Sequence, residues 1–152
     1  MQIVTEVAAF VTGERILSSA LWLAGLGHFC VLIASLQVPR RLGWKADLAK
    51  LTPFNRKLMW VYGGFAVFTI TAFGAMTLFS HNEMLCGDKT ALALATFIGV
   101  YWTGRIVVDF TYYDHRDWPR GPRFVLGHIL LTLLFVFLAA TYLSLLLWHL
   151  TT

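Results

Sequence analysis

Four apolar runs, each longer than twenty residues, take up most of the chain: Ile16 to Val38, Leu58 to Phe79, Thr90 to Tyr113 and Phe124 to Leu150. About 20 apolar residues wound as a helix match the hydrocarbon thickness of a bilayer. Within lipid the backbone must satisfy its own hydrogen bonds, which a helix does inside one segment. The runs therefore predict an all-α integral membrane protein: an up-down four-helix bundle with spans at 16–38, 58–79, 90–113 and 124–150, forming one domain over residues 1–152. Of the 152 residues 58% are apolar and 13% charged, against roughly 25% charged in soluble domains, so lipid is the expected solvent and no soluble domain is left over.

The charges set an expected orientation. Pro39 to Lys57 carries Arg40, Arg41, Lys45, Lys50, Arg56 and Lys57 against Asp47 alone, and Asp114 to Arg123 carries Arg116, Arg120 and Arg123. Loops enriched in Lys and Arg stay on the cytoplasmic side. The loop Ser80 to Lys89 has no basic excess, with Glu83 and Asp88 against Lys89. Both termini and this loop are thus expected outside, in a bacterial inner membrane, with Trp60 and Tyr62 at headgroup depth. The start, Met1 to Glu6, has no basic region of the signal-peptide kind, so the first span is expected to act as the insertion signal. Gln2 to Thr12 reads either as a short interfacial amphipathic helix or as the start of the first span. Membrane retention accounts for the net charge of +4, and nucleic acid is not an expected partner. Cys30 and Cys86 have no metal or redox spacing and read as unpaired.

Ionised residues inside a span are costly and are functional-site candidates by default. Arg105 and Asp109 share a helix face at i,i+4. By a rise of about 1.5 Å per residue they lie roughly 12 Å and 6 Å inside the cytoplasmic end of the third span. They read as an ion pair that pins the bundle, or as a polar site for a substrate, quinone or lipid headgroup. His128, about one turn into the fourth span, reaches a depth like that of Asp109. If these faces meet, Arg105, Asp109 and His128, with Trp102, form a candidate substrate-binding set suited to proton transfer or anion binding. His28, within Gly25-Leu26-Gly27-His28, is a candidate cofactor residue, because its small neighbours let a helix or a flat molecule come close. It sits roughly 9 Å deeper than His128, and that mismatch disfavours bis-histidine ligation of haem b; a packed histidine is the other reading. His81, Glu83, Asp88 and His149 are too irregularly spaced to define a metal site and read as solvated loop residues. Gly63, Gly64 and Gly74 read as helix-packing positions. No HExxH, nucleophile elbow, paired-cysteine motif or phosphate loop is present in the sequence, which disfavours the common membrane hydrolases and ATP-driven transporters.

The segment around Arg15 to His28, with Glu14-Arg15-Ile16-Leu17 and then Leu21-Trp22-Leu23-Ala24-Gly25-Leu26-Gly27-His28, resembles the opening helix of small bacterial four-span proteins of the DoxX-like kind. That resemblance covers less than a fifth of the chain. Pro53 to Tyr62 and Trp102-Thr103-Gly104-Arg105 resemble bacterial four-span proteins without an assigned activity. The DoxX-like resemblance implies membrane redox or quinone chemistry and supplies no catalytic residue. The expected function is therefore binding of a lipid-like or quinone-like molecule, or an accessory role in a membrane complex, with a membrane-protein partner or a second copy of the chain beside the lipid. The alternatives are a small membrane enzyme acting on a quinone or isoprenoid, with His128 or Asp109 as acid/base and Arg105 holding an anion, and a transporter component.

Overall fold

The computed structural model describes residues 2–113 and 121–151, with side chains from residue 10 onward except that of Arg123. The described residues form six helices and no strand: α1 (Gln2–Arg41), α2 (Trp44–Ala49), α3 (Pro53–Phe79), α4 (His81–Leu85), α5 (Lys89–Thr111) and α6 (Pro122–Thr151). Four of them, α1, α3, α5 and α6, are long and apolar enough to cross a membrane.

The helix ends follow local chemistry and depart from the apolar runs at several points. α1 runs through Pro39 to Arg41, although the proline lacks the N–H that would bond the carbonyl four residues back. Gly43, at φ 65°, then turns the chain, a conformation glycine adopts without steric cost. Gln2 to Thr12 belongs to α1 itself. The expected loop from Pro39 to Lys57 contains α2 and the first turn of α3, where Thr52 accepts from the Asn55 N–H and Pro53 fills the first helical position. Proline fits there because its missing N–H would have had no intrahelical partner. Asp88 caps α5 by accepting from the Thr90 and Ala91 N–H groups at 2.9 and 3.0 Å. The expected basic turn at 114–123 lies mostly outside the described residues.

α1 packs against α3 and α6, and α5 packs against α6. α1 and α6 meet in opposite order along their lengths: Gly13 faces Trp148, and further along Gly27 faces Leu134 and Leu138. α3 and α5 are held apart by bulky rings, with Phe73 edge-on to Phe97 at 5.8 Å and to Tyr101 at 5.0 Å between centroids. Leu21, Ala24, Val31, Ile98, Trp102, Leu138, Tyr142 and Leu145 fill the centre. The outward faces carry Ile16, Phe65, Phe68, Phe97, Leu133 and Leu147, all exposed, so the core is small and the apolar surface large, the reverse of a soluble bundle.

α4 closes one end. Its Met84 is fully buried, its His81 ring donates from Nε2 to the Ser18 carbonyl at 3.1 Å, and His149 at the end of α6 donates from Nε2 to the Met84 carbonyl at 3.1 Å. His81 is buried and not the solvated loop residue expected, because its ring lies against Trp22 with centroids 4.9 Å apart. Among the described residues no three His, Cys, Asp or Glu are grouped to hold a metal ion.

At Gly74 the helix meets its neighbour's backbone: a Cβ there would sit 3.0 Å from the His28 Cβ and 3.1 Å from the Gly25 carbonyl oxygen. Gly64, on the same helix, has open space at that position. Gly74→Ala is therefore expected to destabilise the protein in detergent by about 1–3 kcal/mol, as overpacking does. Gly64→Ala leaves the thermal midpoint unchanged or raises it. Equal midpoints for the two variants would show that α1 and α3 do not pack this closely.

Candidate functional site

Two groups of polar side chains lie between the long helices, and their geometries differ. The first is centred on His28, which is fully buried. Its Nδ1 lies 2.7 Å from the Ala24 carbonyl oxygen. A carbonyl only accepts, so Nδ1 carries the proton and Nε2 presents a lone pair. The indole N–H of Trp102, which only donates, points at that lone pair at 3.0 Å. Both ring nitrogens are therefore engaged, and neither is left for a metal or a bound molecule in this arrangement. Phe73, Trp102 and Tyr142 place their rings around the imidazole at centroid distances of 6.1, 5.5 and 6.1 Å.

A companion bond joins α3 to α6. Thr77 donates to the Phe73 carbonyl at 2.7 Å, which uses its one proton. The contact of 2.6 Å between Thr77 Oγ1 and the Tyr142 hydroxyl is therefore donated by Tyr142. Among the described residues no buried side-chain nitrogen or oxygen is left without a partner.

The second group lies at the end of α5 and the start of α6, the end of the bundle that also carries Arg40 and Arg41. Asp109 is 3% exposed. Its Oδ1 is 3.5 Å from Arg105 Nη1, and its Oδ2 is 3.4 Å from His128 Nε2. Thr132 donates to the same Oδ2 at 3.4 Å, and its hydroxyl is also 3.4 Å from His128 Nε2. Arg105 lies over the rings of Phe135 and Tyr113 at 5.2 and 5.6 Å, within cation–π range. Charge-assisted hydrogen bonds close at about 2.7–2.9 Å, so among the described residues every contact of Asp109 is long.

Phe135 connects the two groups. Its far face stacks on the Trp102 indole, with centroids 4.9 Å apart and planes 24° apart. The Trp102 N–H then reaches His28. Beside the second group, a cleft of about 270 Å³ opens between α1 and α6, lined by Ala34, Gln37, Val38, Arg41, Leu42, Phe124, Gly127, His128 and Leu131.

Of the residues expected from sequence, Arg105, Asp109 and His128 meet in one cluster. Trp102 does not face them; it is fully buried and serves His28. Thr132 and Phe135 were missed, although Thr132 stands one turn beyond His128 on the same helix face and could have been read from that spacing. Tyr142, the one tyrosine among the Leu and Phe of the fourth run, was missed as well. No family model, curated protein or solved structure matches this chain.

Trp102→Phe keeps an aromatic ring against Phe135 and removes the indole N–H that donates to His28 Nε2. The expected loss is about 1–3 kcal/mol, the cost of leaving one buried polar group unmade, read as a lower unfolding midpoint in detergent. An unchanged midpoint would show that the indole–imidazole bond does not stabilise the bundle.

Proposed function

We propose that this chain crosses a membrane four times as an up-down bundle and that Arg105, Asp109 and His128 form a binding site for a lipid-like or quinone-like molecule. The observation that carries this reading is the contrast between the two polar groups. The central bonds have lengths of 2.6 to 3.0 Å, whereas each contact of the buried Asp109 is 3.4 or 3.5 Å. A carboxylate kept only to pin helices gains most from a short bond. One that exchanges partners with a ligand needs room, and catalytic or binding contacts are often long before the ligand arrives.

On this reading the basic end lies on the cytoplasmic side of a bacterial inner membrane, with both termini on the other side. The DoxX-like resemblance of the first helix supports a quinone among the possible ligands. A second reading, a small membrane enzyme acting on a quinone or isoprenoid, is favoured by the placement of His128 against Asp109, which suits a proton-transfer pair. An accessory role in a larger membrane complex fits the extent of exposed apolar surface.

The test is extraction of the purified protein followed by mass spectrometry of what leaves with it. Wild-type protein is expected to carry one amphiphile in fixed proportion. Asp109→Asn and His128→Gln are expected to lose it while keeping the thermal midpoint of the stripped protein. If both variants keep the molecule and lower the midpoint instead, the cluster is a structural ion pair and the binding reading fails.

A further inference from the structure

The cleft between α1 and α6 has a composition that identifies the kind of molecule it takes. We infer that it holds the anionic head group of a membrane amphiphile, bound by Arg41 and His128; this rests on the proposed binding role of the Arg105–Asp109–His128 cluster and extends it.

The cleft follows from sequence spacing. Ala34, Gln37, Val38 and Arg41 fall on one face of α1 at i, i+3, i+4 and i+7, and Phe124, Gly127, His128 and Leu131 repeat the same spacing on α6. Two turns away the helices are closed, where a Cβ on Gly27 would stand 3.2 Å from Leu134. At the cleft the small residues Ala34 and Gly127 stand on the two walls, and a Cβ on Gly127 would meet nothing within 4 Å. The gap is therefore a consequence of side-chain size along one pair of helices.

Charge selects the occupant. Arg41 and His128 line the cleft, Gln37 adds an amide, and among the described residues no acidic side chain lines it. Asp109 stands behind His128 and is surrounded by Arg105, Thr132 and His128. A phosphate or carboxylate head can form charge-assisted, bidentate hydrogen bonds with the Arg41 guanidinium, which a neutral quinone head cannot. The remaining lining, Val38, Leu42, Phe124 and Leu131, is apolar and suits the top of a hydrocarbon chain. The volume of about 270 Å³ is at or below the small end of ligand sites, roughly 300–1,000 Å³, so it takes a head group and the first part of a chain, with the remainder outside. His128 belongs to both the cleft and the Asp109 cluster, and an anion beside it competes with Asp109 for the imidazole.

The experiment is native mass spectrometry of the full chain, stripped of lipid in detergent and then supplied separately with phosphatidylglycerol, oleate, phosphatidylcholine and ubiquinone. One phosphatidylglycerol is expected to stay bound, with phosphatidylcholine and ubiquinone retained about tenfold less, a difference of one decade in affinity. Oleate retained as well as phosphatidylglycerol assigns the site to any anionic head, and weaker retention of oleate assigns it to phosphate; both support the inference. Gly127→Leu, which fills open space, is expected to cut retention about tenfold with an unchanged thermal midpoint, while Gly104→Leu, also into open space, leaves retention intact. Arg41→Gln, at an exposed position, is expected to lose retention and Arg41→Lys to keep part of it, which carries the test if Gly127→Leu lowers the midpoint. Equal retention of phosphatidylcholine or ubiquinone, or full retention by both Gly127→Leu and Arg41→Gln, overturns the inference. If Asp109→Asn abolishes retention and those two variants do not, the cluster remains a site and the cleft is excluded from it. If the wild type retains none of the four, both readings fall.

Discussion

An apolar bundle has no water to offer a buried polar group, and that constraint shapes the interior of this chain. Each imidazole, hydroxyl or carboxylate that lies between the helices must find its partner on a neighbouring helix or on its own backbone, since an unpaired group in such surroundings costs several kcal/mol. His28 is the clearest case: its two nitrogens are matched to one acceptor and one donor, and the matching leaves a single tautomer possible. The bond to Trp102 ties α1 to α5, helices that otherwise share few contacts, and the Tyr142–Thr77 bond ties α6 to α3. Two short hydrogen bonds thus brace the two diagonals of the bundle, while glycines bring α1 close to α3 and to α6.

With the centre braced in this way, the end that carries Asp109 does not have to hold the helices together. Its contacts are long, its arginine is partly exposed, and a cleft lies against its histidine. Phe135, clasped between the Trp102 indole and the Arg105 guanidinium, touches both regions. In the proposed function the tight layer provides the frame and the loose layer provides the adjustable site.

Much of the fold was legible because its dominant signal is one-dimensional. A run of apolar residues about the length of a bilayer needs no tertiary information to be read as a helix, and all four such runs are helices. The ends were less legible: the apolar runs stop where polarity begins, whereas the helices continue through Pro39 and begin at Pro53 and Pro122, where backbone capping decides. The meeting of Asp109 with His128 was accessible as an expectation from equal depth alone, since two residues at one level of adjoining helices can touch. Trp102 was misplaced because depth says nothing about rotation about the helix axis, and its indole turns toward His28. The roles of His81 and His149 as ties between α4 and the long helices depend on a short helix that no apolar run announces.

The premise beneath all of this is that the long helices cross a bilayer, and α3 tests it most directly because native Cys86 lies beyond one of its ends and exposed Lys50 beyond the other. A maleimide that cannot cross membranes would be applied to intact cells expressing Lys50→Cys in a Cys30→Ser background. Four crossings predict that Cys86 is labelled in intact cells and position 50 only after permeabilisation. Labelling of both positions from the same side would contradict the crossing of α3, and with it the membrane setting of the proposed site.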